Sequence, residues 1–249
     1  MAAPWLRIAH RGACGTAPEH TRAAFERALA LGVDMIEMDA QLTCDDEIVV
    51  FHDFELQRTT NGDGPVRQHT LAAIKRLDAG AWFGQAFAGE RVLTLDEVLD
   101  LVGVRARLNV EVKSPAAADW AVIGRKLIAT LHDRGRLEET VVSCFMAGAL
   151  AALREQSRAV RLGFLWQQED LAMVWRLARE LSLLSVHPHW SLVTPSFVEA
   201  AHVRGLRVLT WTVNDAGAMA RLVQVGVDGI ISDYPERVAQ VPERPEAGG

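Results

Sequence analysis

Two acidic residues, Glu37 and Asp39, stand two positions apart in the apolar run MIEMDAQ. Residues i and i+2 of a β-strand point to the same face, with Cα atoms roughly 6–7 Å apart for a rise of about 3.3 Å per residue. A charged pair with the same spacing, Glu111 and Lys113, follows in RLNVEVK. Three carboxylates in one site would repel each other strongly without a cation. The pattern predicts that Glu37, Asp39 and Glu111 bind one divalent metal ion, Mg²⁺ or Ca²⁺, with Mn²⁺ as a third candidate.

A second explanation of these carboxylates stays open, in which salt bridges to Arg11 and Lys113 satisfy them without a metal ion. If one divalent ion is bound, the three carboxylates, the ion and the two cationic side chains together carry one positive charge. A phosphodiester has a single negative charge and would neutralise it, whereas a phosphomonoester dianion would leave one negative charge over. The charge balance favours a phosphodiester substrate.

Two histidines stand at the ends of apolar runs, His10 in LRIAH and His52 in IVVFHD. A lone histidine at a strand end is more often a hydrogen-bonding partner than a catalyst. Here, however, four predicted strand ends carry ionisable groups, while the strands between them are apolar. One histidine could activate a water or hydroxyl and the other could protonate the departing alkoxide. The spacing leaves open which histidine is the acid and which is the base.

Short apolar runs alternate with stretches of helical periodicity along the chain. The segment DWAVIGRKLIATLHDRG, for example, predicts a helix with Trp120, Ile123, Leu127 and Leu131 on one apolar face. Near-continuous apolar strands separated by helices indicate a parallel sheet covered by helices. Eight such strands are found if IVVFHD is treated as an excursion after the second strand. The pattern predicts an α/β fold, a (β/α)8 TIM barrel, with catalytic groups at the C-terminal ends of its strands.

The composition excludes several other classes of protein. Of the 249 residues, 49% are apolar and 23% are charged, and the net charge is −6. Because no dense lysine and arginine cluster accompanies this charge, we expect neither nucleic acid binding nor stable membrane anchoring. Cys14, Cys44 and Cys144 are too scattered for a disulfide framework and predict reduced thiols in a cytoplasmic protein.

The length fits one barrel, so we expect a single catalytic domain over residues 1–240 and a disordered tail over residues 241–249. The beginning MAAPWLRIAHRG leads straight into the first predicted strand, without the basic and apolar regions of a signal peptide. Nothing in the sequence decides the oligomeric state, and an oligomer stays open.

The order of the motifs resembles that of the glycerophosphodiester phosphodiesterase family. The motifs are AHRG, APEHT, GVDMIEMDAQLTCDDEIVVFHD, QRTTNGDG, TLDEVL, LNVEVK, SCF, TWTVND and GVDGIISD. The segments LDAGAWFGQAFAGE and LSVHPHW are most similar to the bacterial cytoplasmic branch. The resemblance implies a barrel of the PLC-like phosphodiesterase type. It also implies metal-dependent hydrolysis of glycerophosphodiesters, such as glycerophosphocholine and glycerophosphoethanolamine, to sn-glycerol 3-phosphate and an alcohol.

The resemblance also implies a role for individual residues in these motifs. The roles are metal ligation by Glu37, Asp39 and Glu111, acid and base catalysis by His10 and His52, phosphate binding by Arg11 and Lys113, and contact with glycerol by Trp211. The motif PEHT departs from the family, because it has His20 where asparagine is usual. We expect this change to act only locally, since His20 immediately precedes Thr21, the predicted cap of the first helix.

Two other functions stay open. A lysophospholipase D that cleaves acylated glycerophosphodiesters would use the same centre, although no long insertion is present to build the apolar rim it would need. A noncatalytic barrel that binds phosphodiesters is the second alternative, and the presence of both His10 and His52 argues against it.

Overall fold

Eight parallel strands form a closed ring in the computed structural model, which describes residues 5–114, 116–167 and 170–242. The strands of the ring are β1 (Leu6–His10), β2 (Met35–Leu42), β5 (Arg107–Val112), β6 (Thr140–Cys144), β7 (Arg161–Trp166), β8 (Ser185–Pro188), β9 (Arg207–Thr210) and β10 (Gly229–Ser232). The ring closes because β1 pairs in parallel with both β2 and β10. The predicted (β/α)8 barrel is confirmed. Residues 1–4 of the predicted domain and residues 243–249 of the predicted tail lie outside the described residues.

Two short strands extend the sheet beyond β2. They are β3 (Ile48–Val50), antiparallel to β2, and β4 (Leu93–Thr94), antiparallel to β3. The predicted run IVVFHD is therefore a strand only as far as Val50. The side-chain amide of Gln41 donates to the backbone oxygens of Phe51 and Asp53, at 2.8 and 2.7 Å. Because Gln41 occupies these two carbonyls, they do not pair with a neighbouring strand. The chain leaves the sheet here, and His52 lies on a loop.

Helices cover the outside of the ring. They are α1 (Arg22–Ala30), α2 (Leu71–Ile74), α3 (Leu95–Val102), α4 (Ala117–Asp133), α5 (Ala147–Gln156), α6 (Leu171–Glu180), α7 (Pro195–Val203), α8 (Ala216–Val225) and α9 (Pro235–Val238). The predicted face of α4 is confirmed, since Ile123, Leu127 and Leu131 are fully buried. Each such side chain contributes about 1.5–3 kcal/mol of hydrophobic stabilisation. Among the described helices, none is long and apolar enough to cross a membrane.

The interior of the ring is apolar at one end and polar at the other. Ile8, Met35, Val141, Leu209 and Ile231 form an apolar cluster across the ring. Because side chains alternate along a strand, the residue two positions further along points to the same interior. That next position is an ionisable or polar group on several strands, so the apolar cluster forms the floor of a polar barrel mouth.

The turn between β1 and α1 needs an unusual backbone. Arg11 and Gly12 both have positive φ, at 52° and 79°. This conformation directs the Arg11 N–H to Glu37 Oε2, at 3.1 Å. A Cβ atom on Gly12 would lie 2.7 Å from the backbone carbon of Ala24 in α1. The predicted cap is confirmed, since Thr21 accepts a hydrogen bond from the N–H of Ala24. The first turn of α1 therefore packs directly on the loop that carries Arg11.

We expect Gly12→Ala to destabilise the protein more than Gly32→Ala. Both glycines have positive φ, which costs an alanine roughly 1–2 kcal/mol. Only at Gly12 would the added methyl group meet backbone atoms, whereas nothing lies within 4 Å at Gly32. Overlap in a packed region adds about 1–3 kcal/mol. Urea denaturation of the two variants measures the difference, and equal losses would contradict the close packing of this turn.

Candidate active site

Three acidic side chains meet at the C-terminal ends of β2 and β5. Glu37 and Asp39 lie on β2, and Glu111 pairs with Asp39 in the parallel register of β5. One carboxylate oxygen from each residue lies within 4.8 Å of the other two, and all three residues are buried. The structure thus brings together the three residues that the sequence predicts as metal ligands.

Burial and mutual repulsion oppose the ionisation of this cluster. Burial raises the pKa of Glu37 well above its ordinary value, and the charges of Asp39 and Glu111 raise it further. Burial, together with the charge of Asp39, raises the pKa of Glu111 to about 8. Burial also opposes ionisation of Asp39, but Lys113 and Arg11 outweigh it and hold the pKa of Asp39 below its ordinary range. At neutral pH the cluster therefore holds protons unless a further cation replaces them.

Two cationic side chains approach the cluster without satisfying it. Lys113 Nζ lies 2.9 Å from Glu111 Oε1 and 3.6 Å from Asp39 Oδ1. Arg11 Nε lies 3.4 Å from Asp39 Oδ2, while its Nη1 donates to Glu19 at 3.0 Å. Both oxygens of Asp39 are buried and form no hydrogen bond within the described residues. Salt bridges therefore satisfy the carboxylates only in part, and the remaining buried oxygens fit a hard divalent cation.

His20 lies against this cluster, so the expectation that its effect is only local is wrong. Its positive φ of 59° turns the ring inward, where only 3% of the residue is exposed. Nε2 accepts a hydrogen bond from the Asp39 N–H at 3.2 Å and lies 3.3 Å from Asp39 Oδ2. Burial lowers the pKa of His20 to about 3, so the ring is neutral. His20 thus helps to position Asp39.

His10 is oriented by a carboxylate from the other end of the chain. Its Nδ1 lies 2.5 Å from Oδ1 of Asp233, which follows β10 directly, and Asn214 donates to Oδ2 of Asp233 at 2.6 Å. Burial opposes ionisation of Asp233, but its hydrogen bond with His10 outweighs burial and lowers the pKa of the carboxyl. An ionised Asp233 holds the proton on Nδ1. Nε2 is left facing the cluster, 3.9 Å from Glu37 Oε2.

His52 has the same arrangement with a neighbour in sequence. Its Nδ1 lies 2.6 Å from Asp53 Oδ1, and the guanidinium of Arg58 binds both oxygens of Asp53. Burial lowers the pKa of His52, so the ring is held in its neutral form. Gln41 fixes the backbone of this loop, as described above. Both histidines therefore have Nδ1 bonded to a carboxylate, and neither Nε2 forms a hydrogen bond to a residue that the structure describes.

One pocket at the barrel mouth collects most of the predicted residues. Its lining is formed by His10, Arg11, Glu37, His52, Asn109, Glu111, Lys113, Phe145, Leu165, Trp211, Thr212 and Ile231. Of the eight residues predicted from the sequence, only Asp39 lies outside this lining, buried beneath it. Trp211 packs edge-to-face on Phe145 at 5.3 Å, and its Nε1 donates to the backbone oxygen of His187. These contacts fix one apolar wall beside the charged groups.

Sequence reasoning assigned no role to the groups that support the histidines. Asp233 ends GVDGIISD and Asp53 follows His52, so each is an acidic residue next to a strand end or a candidate histidine. That signal could have suggested a supporting role for both. Nothing comparable in the sequence marks Gln41 or Asn214.

Comparison with known proteins shows the family to which the chain belongs. Residues 10–237 match the model of the glycerophosphoryl diester phosphodiesterase family. The chain belongs to this family. The resemblance inferred from the motifs, and the prediction of an enzyme, are confirmed.

Three family relatives illustrate the match. A glycerophosphodiester phosphodiesterase of Caldanaerobacter subterraneus is 41% identical over 93% of this chain and 95% of its own. A glycerophosphodiester phosphodiesterase of Bacillus subtilis is 35% identical over 93% of this chain and 84% of its own. A phosphodiesterase of Oleispira antarctica, whose structure was determined in complex with the product sn-glycerol-3-phosphate, is 31% identical with a TM-score of 0.88, covering 94% of each chain.

We expect the metal-free protein to lose stability as the pH rises through the range in which Glu111 titrates. The folded-state pKa of about 8 lies above the ordinary value of 4.5. Between these values the folded chain binds more protons than the unfolded chain, so the free energy of unfolding falls as the pH rises. Saturating Mg²⁺ should counteract this loss, since the ion takes the place of the protons on the carboxylates and at 100 times its Kd adds about 2.7 kcal/mol.

Thermal melts with and without Mg²⁺ across this pH range measure both effects. Glu111→Gln should flatten the pH dependence of the metal-free protein and reduce the shift in Tm caused by Mg²⁺. The exposed Glu155→Gln is the matched control and should behave as the native chain. An unchanged Mg²⁺ shift in Glu111→Gln would contradict a cation site at the cluster.

Proposed function

We propose that the protein hydrolyses glycerophosphodiesters, such as glycerophosphocholine and glycerophosphoethanolamine, to sn-glycerol 3-phosphate and an alcohol. One observation carries this proposal. A single pocket brings two histidines, each bound to a carboxylate, beside a buried acidic cluster and the cationic side chains of Arg11 and Lys113. Acid and base catalysis of phosphodiester hydrolysis needs these groups together.

Glu37, Asp39 and Glu111 would hold one divalent ion, Mg²⁺ or Ca²⁺, with Mn²⁺ as a third candidate. When bound, such an ion offsets the charge of the carboxylates and polarises phosphoryl oxygen. The all-oxygen donor set supports a hard cation over zinc at this cluster. With an ion present, the excess of one positive charge matches a phosphodiester monoanion.

Arg11 and Lys113 would position the phosphate. Both line the pocket, and both already face the carboxylates. The planar guanidinium of Arg11 presents directional donors to phosphate oxygens, whereas the ammonium of Lys113 supplies a compact charge. Trp211 would offer its apolar surface to the glycerol part of the substrate, beside Phe145.

His10 and His52 would divide the proton transfers. With Nδ1 bonded to Asp53, a neutral His52 presents Nε2 as an acceptor, and the lowered pKa of His52 supports its role as the base. His10 lies next to Arg11 and so beside the proposed phosphate, which supports its role as the acid that protonates the leaving alkoxide. Asp233 and Asp53 would act as positioning residues that hold each ring in place.

We further propose that residues 1–240 work as one catalytic domain in the cytoplasm. The closed barrel, in which β1 pairs with β10, supports a single unit. Three free cysteines, Cys14, Cys44 and Cys144, support a reducing compartment.

The direct test is release of sn-glycerol 3-phosphate from glycerophosphocholine by the purified chain. We expect turnover with Mg²⁺ or Ca²⁺ and its loss after treatment with EDTA, because the acidic cluster needs a cation. Turnover of lysophosphatidylcholine in place of glycerophosphocholine would instead support a lysophospholipase D. Full turnover in EDTA would contradict the metal requirement, and no turnover of any diester would support a noncatalytic barrel.

The roles of the two histidines can be separated with a nitrophenyl ester of glycerophosphate, whose leaving group needs no proton. On glycerophosphocholine, His10→Ala and His52→Ala should each lower kcat/KM by about 10²–10⁴. On the nitrophenyl ester, His10→Ala should recover most of the lost rate, because only the acid is dispensable there, and His52→Ala should not. The reverse pattern would exchange the two roles, and equal defects on both substrates would contradict the division.

A further inference from the structure

A second group of ligand atoms lies at the other ring nitrogen of His10. Cys14 Sγ donates to Asp233 Oδ1 at 3.1 Å and lies 4.0 Å from His10 Nδ1. The same Oδ1 lies 2.5 Å from His10 Nδ1. A thiol, an imidazole nitrogen and a carboxylate oxygen thus converge, all within 4.8 Å of one another. The scattered cysteines and histidines of the sequence gave no sign of this set.

Backbone contacts hold the three donors in this arrangement. The N–H of Gly15 donates to the backbone oxygen of Asp233 at 2.8 Å, which ties the loop of Cys14 to the end of β10. A Cβ atom on Gly15 would lie 2.5 Å from the ring of Tyr234, so only glycine allows this close approach. His10 is fixed by the pairing of β1 with β10. The donors are therefore arranged before any ion arrives.

The donor types favour a soft or borderline ion over Mg²⁺ or Ca²⁺. Thiolate and imidazole are ligands of Zn²⁺ and similar ions. Tetrahedral Zn²⁺ with bonds of about 2.0–2.3 Å separates its ligand atoms by roughly 3.3–3.6 Å. The two distances that involve Cys14 differ from this range by a few tenths of an ångström. The largest adjustment is at the contact between His10 and Asp233, which must widen from 2.5 Å, and water can supply the fourth ligand.

We propose that His10, Cys14 and Asp233 form an inhibitory site for a thiophilic divalent ion such as Zn²⁺ or Cd²⁺, separate from the acidic cluster. The proposal that an ion binds here rests only on the positions of the three donor atoms. Inhibition rests on the proposed catalytic role of His10.

The proton balance explains why binding inhibits. The ion forms bonds to Cys14 Sγ, His10 Nδ1 and Asp233 Oδ1, and the thiol proton leaves to solvent. The proton on Nδ1 also leaves. If the ring starts as imidazolium, Nε2 keeps its proton, and if the ring starts neutral, Nε2 takes one up, so in both cases the bound imidazole is neutral with its proton on Nε2. Nε2 then faces the pocket as an N–H of a neutral, metal-bound ring. It can no longer accept a proton, and it is a far weaker acid than imidazolium, so His10 fails in either catalytic role.

Binding can be measured without reference to activity. The full chain is titrated with Cd²⁺ in a solution that contains a phosphine reductant and saturating Mg²⁺. The charge-transfer absorption of the Cd²⁺–thiolate bond is recorded. We expect absorption from one thiolate per chain in the native protein and in Cys44→Ser, whose substituted cysteine is exposed and does not belong to this set. We expect Cys14→Ser to lack it. Absorption that persists in Cys14→Ser, or vanishes in Cys44→Ser, would overturn the site.

Inhibition is measured on the same proteins with Zn²⁺ in the presence of saturating Mg²⁺. Cys14→Ser should keep its basal activity, since serine can donate the same hydrogen bond to Asp233, and its inhibition constant for Zn²⁺ should rise at least about tenfold. Further Mg²⁺ should not relieve the inhibition of the native chain. Relief by Mg²⁺, or equal inhibition of both proteins, would overturn the proposal, because Zn²⁺ would then act at the acidic cluster.

The test remains decisive if Cys14→Ser does not fold or if the chain has no phosphodiesterase activity. Cys14→Ala serves as a second variant if the serine protein does not fold, and it should also lose the absorption. A chain without phosphodiesterase activity would refute the proposed function while the Cd²⁺ titration still decides the site. An active chain that binds Cd²⁺ through Cys14 without losing activity would overturn the inhibitory role.

Discussion

Three carboxylates buried together at one end of a closed barrel form the constraint on which the site depends. An ionised carboxylate removed from water is costly unless it is paired, and β2 and β5 hold these groups in register so that they cannot move apart. Neighbouring groups compensate part of this negative charge. Lys113 and Arg11 approach Asp39, and the strained backbone of Arg11 presents its N–H to Glu37. The negative charge that remains on the carboxylates fits the divalent cation of the proposed function.

The two histidines show how one chemical arrangement is built from different parts of the chain. Asp53 follows His52 directly, whereas Asp233 is 223 positions away from His10 and reaches it only because β10 closes on β1. In both pairs the carboxylate fixes the proton on Nδ1, so that in the proposed function Nε2 is the nitrogen that meets the substrate. The closure of the barrel is therefore part of the site as well as of the fold.

The features that the sequence predicts well are those set by local geometry. Apolar strands separated by stretches of helical periodicity predict a barrel, and the i, i+2 spacing of Glu37 and Asp39 places both on one face. Asp233 escaped prediction because its partner depends on barrel closure. His20 was misjudged because a non-glycine residue with positive φ is rare, so nothing in the pattern PEHT indicates that its ring turns inward. Gln41 was missed because its two hydrogen bonds go to backbone carbonyls on a loop that no periodicity describes.

Cys14 shows that a side chain which supports a neighbour by a hydrogen bond can also be a ligand for a metal ion. Its thiol donates to the same oxygen of Asp233 that orients His10, but a thiol is a weaker donor than a hydroxyl. A serine at this position would donate to Asp233 at least as well. The need to orient Asp233 therefore does not explain why the residue is a cysteine. What sulfur adds is affinity for soft metal ions, next to an imidazole nitrogen and a carboxylate that already bind each other. The more firmly Asp233 fixes His10 for its proposed reaction, the better it also arranges the donors that would capture such an ion.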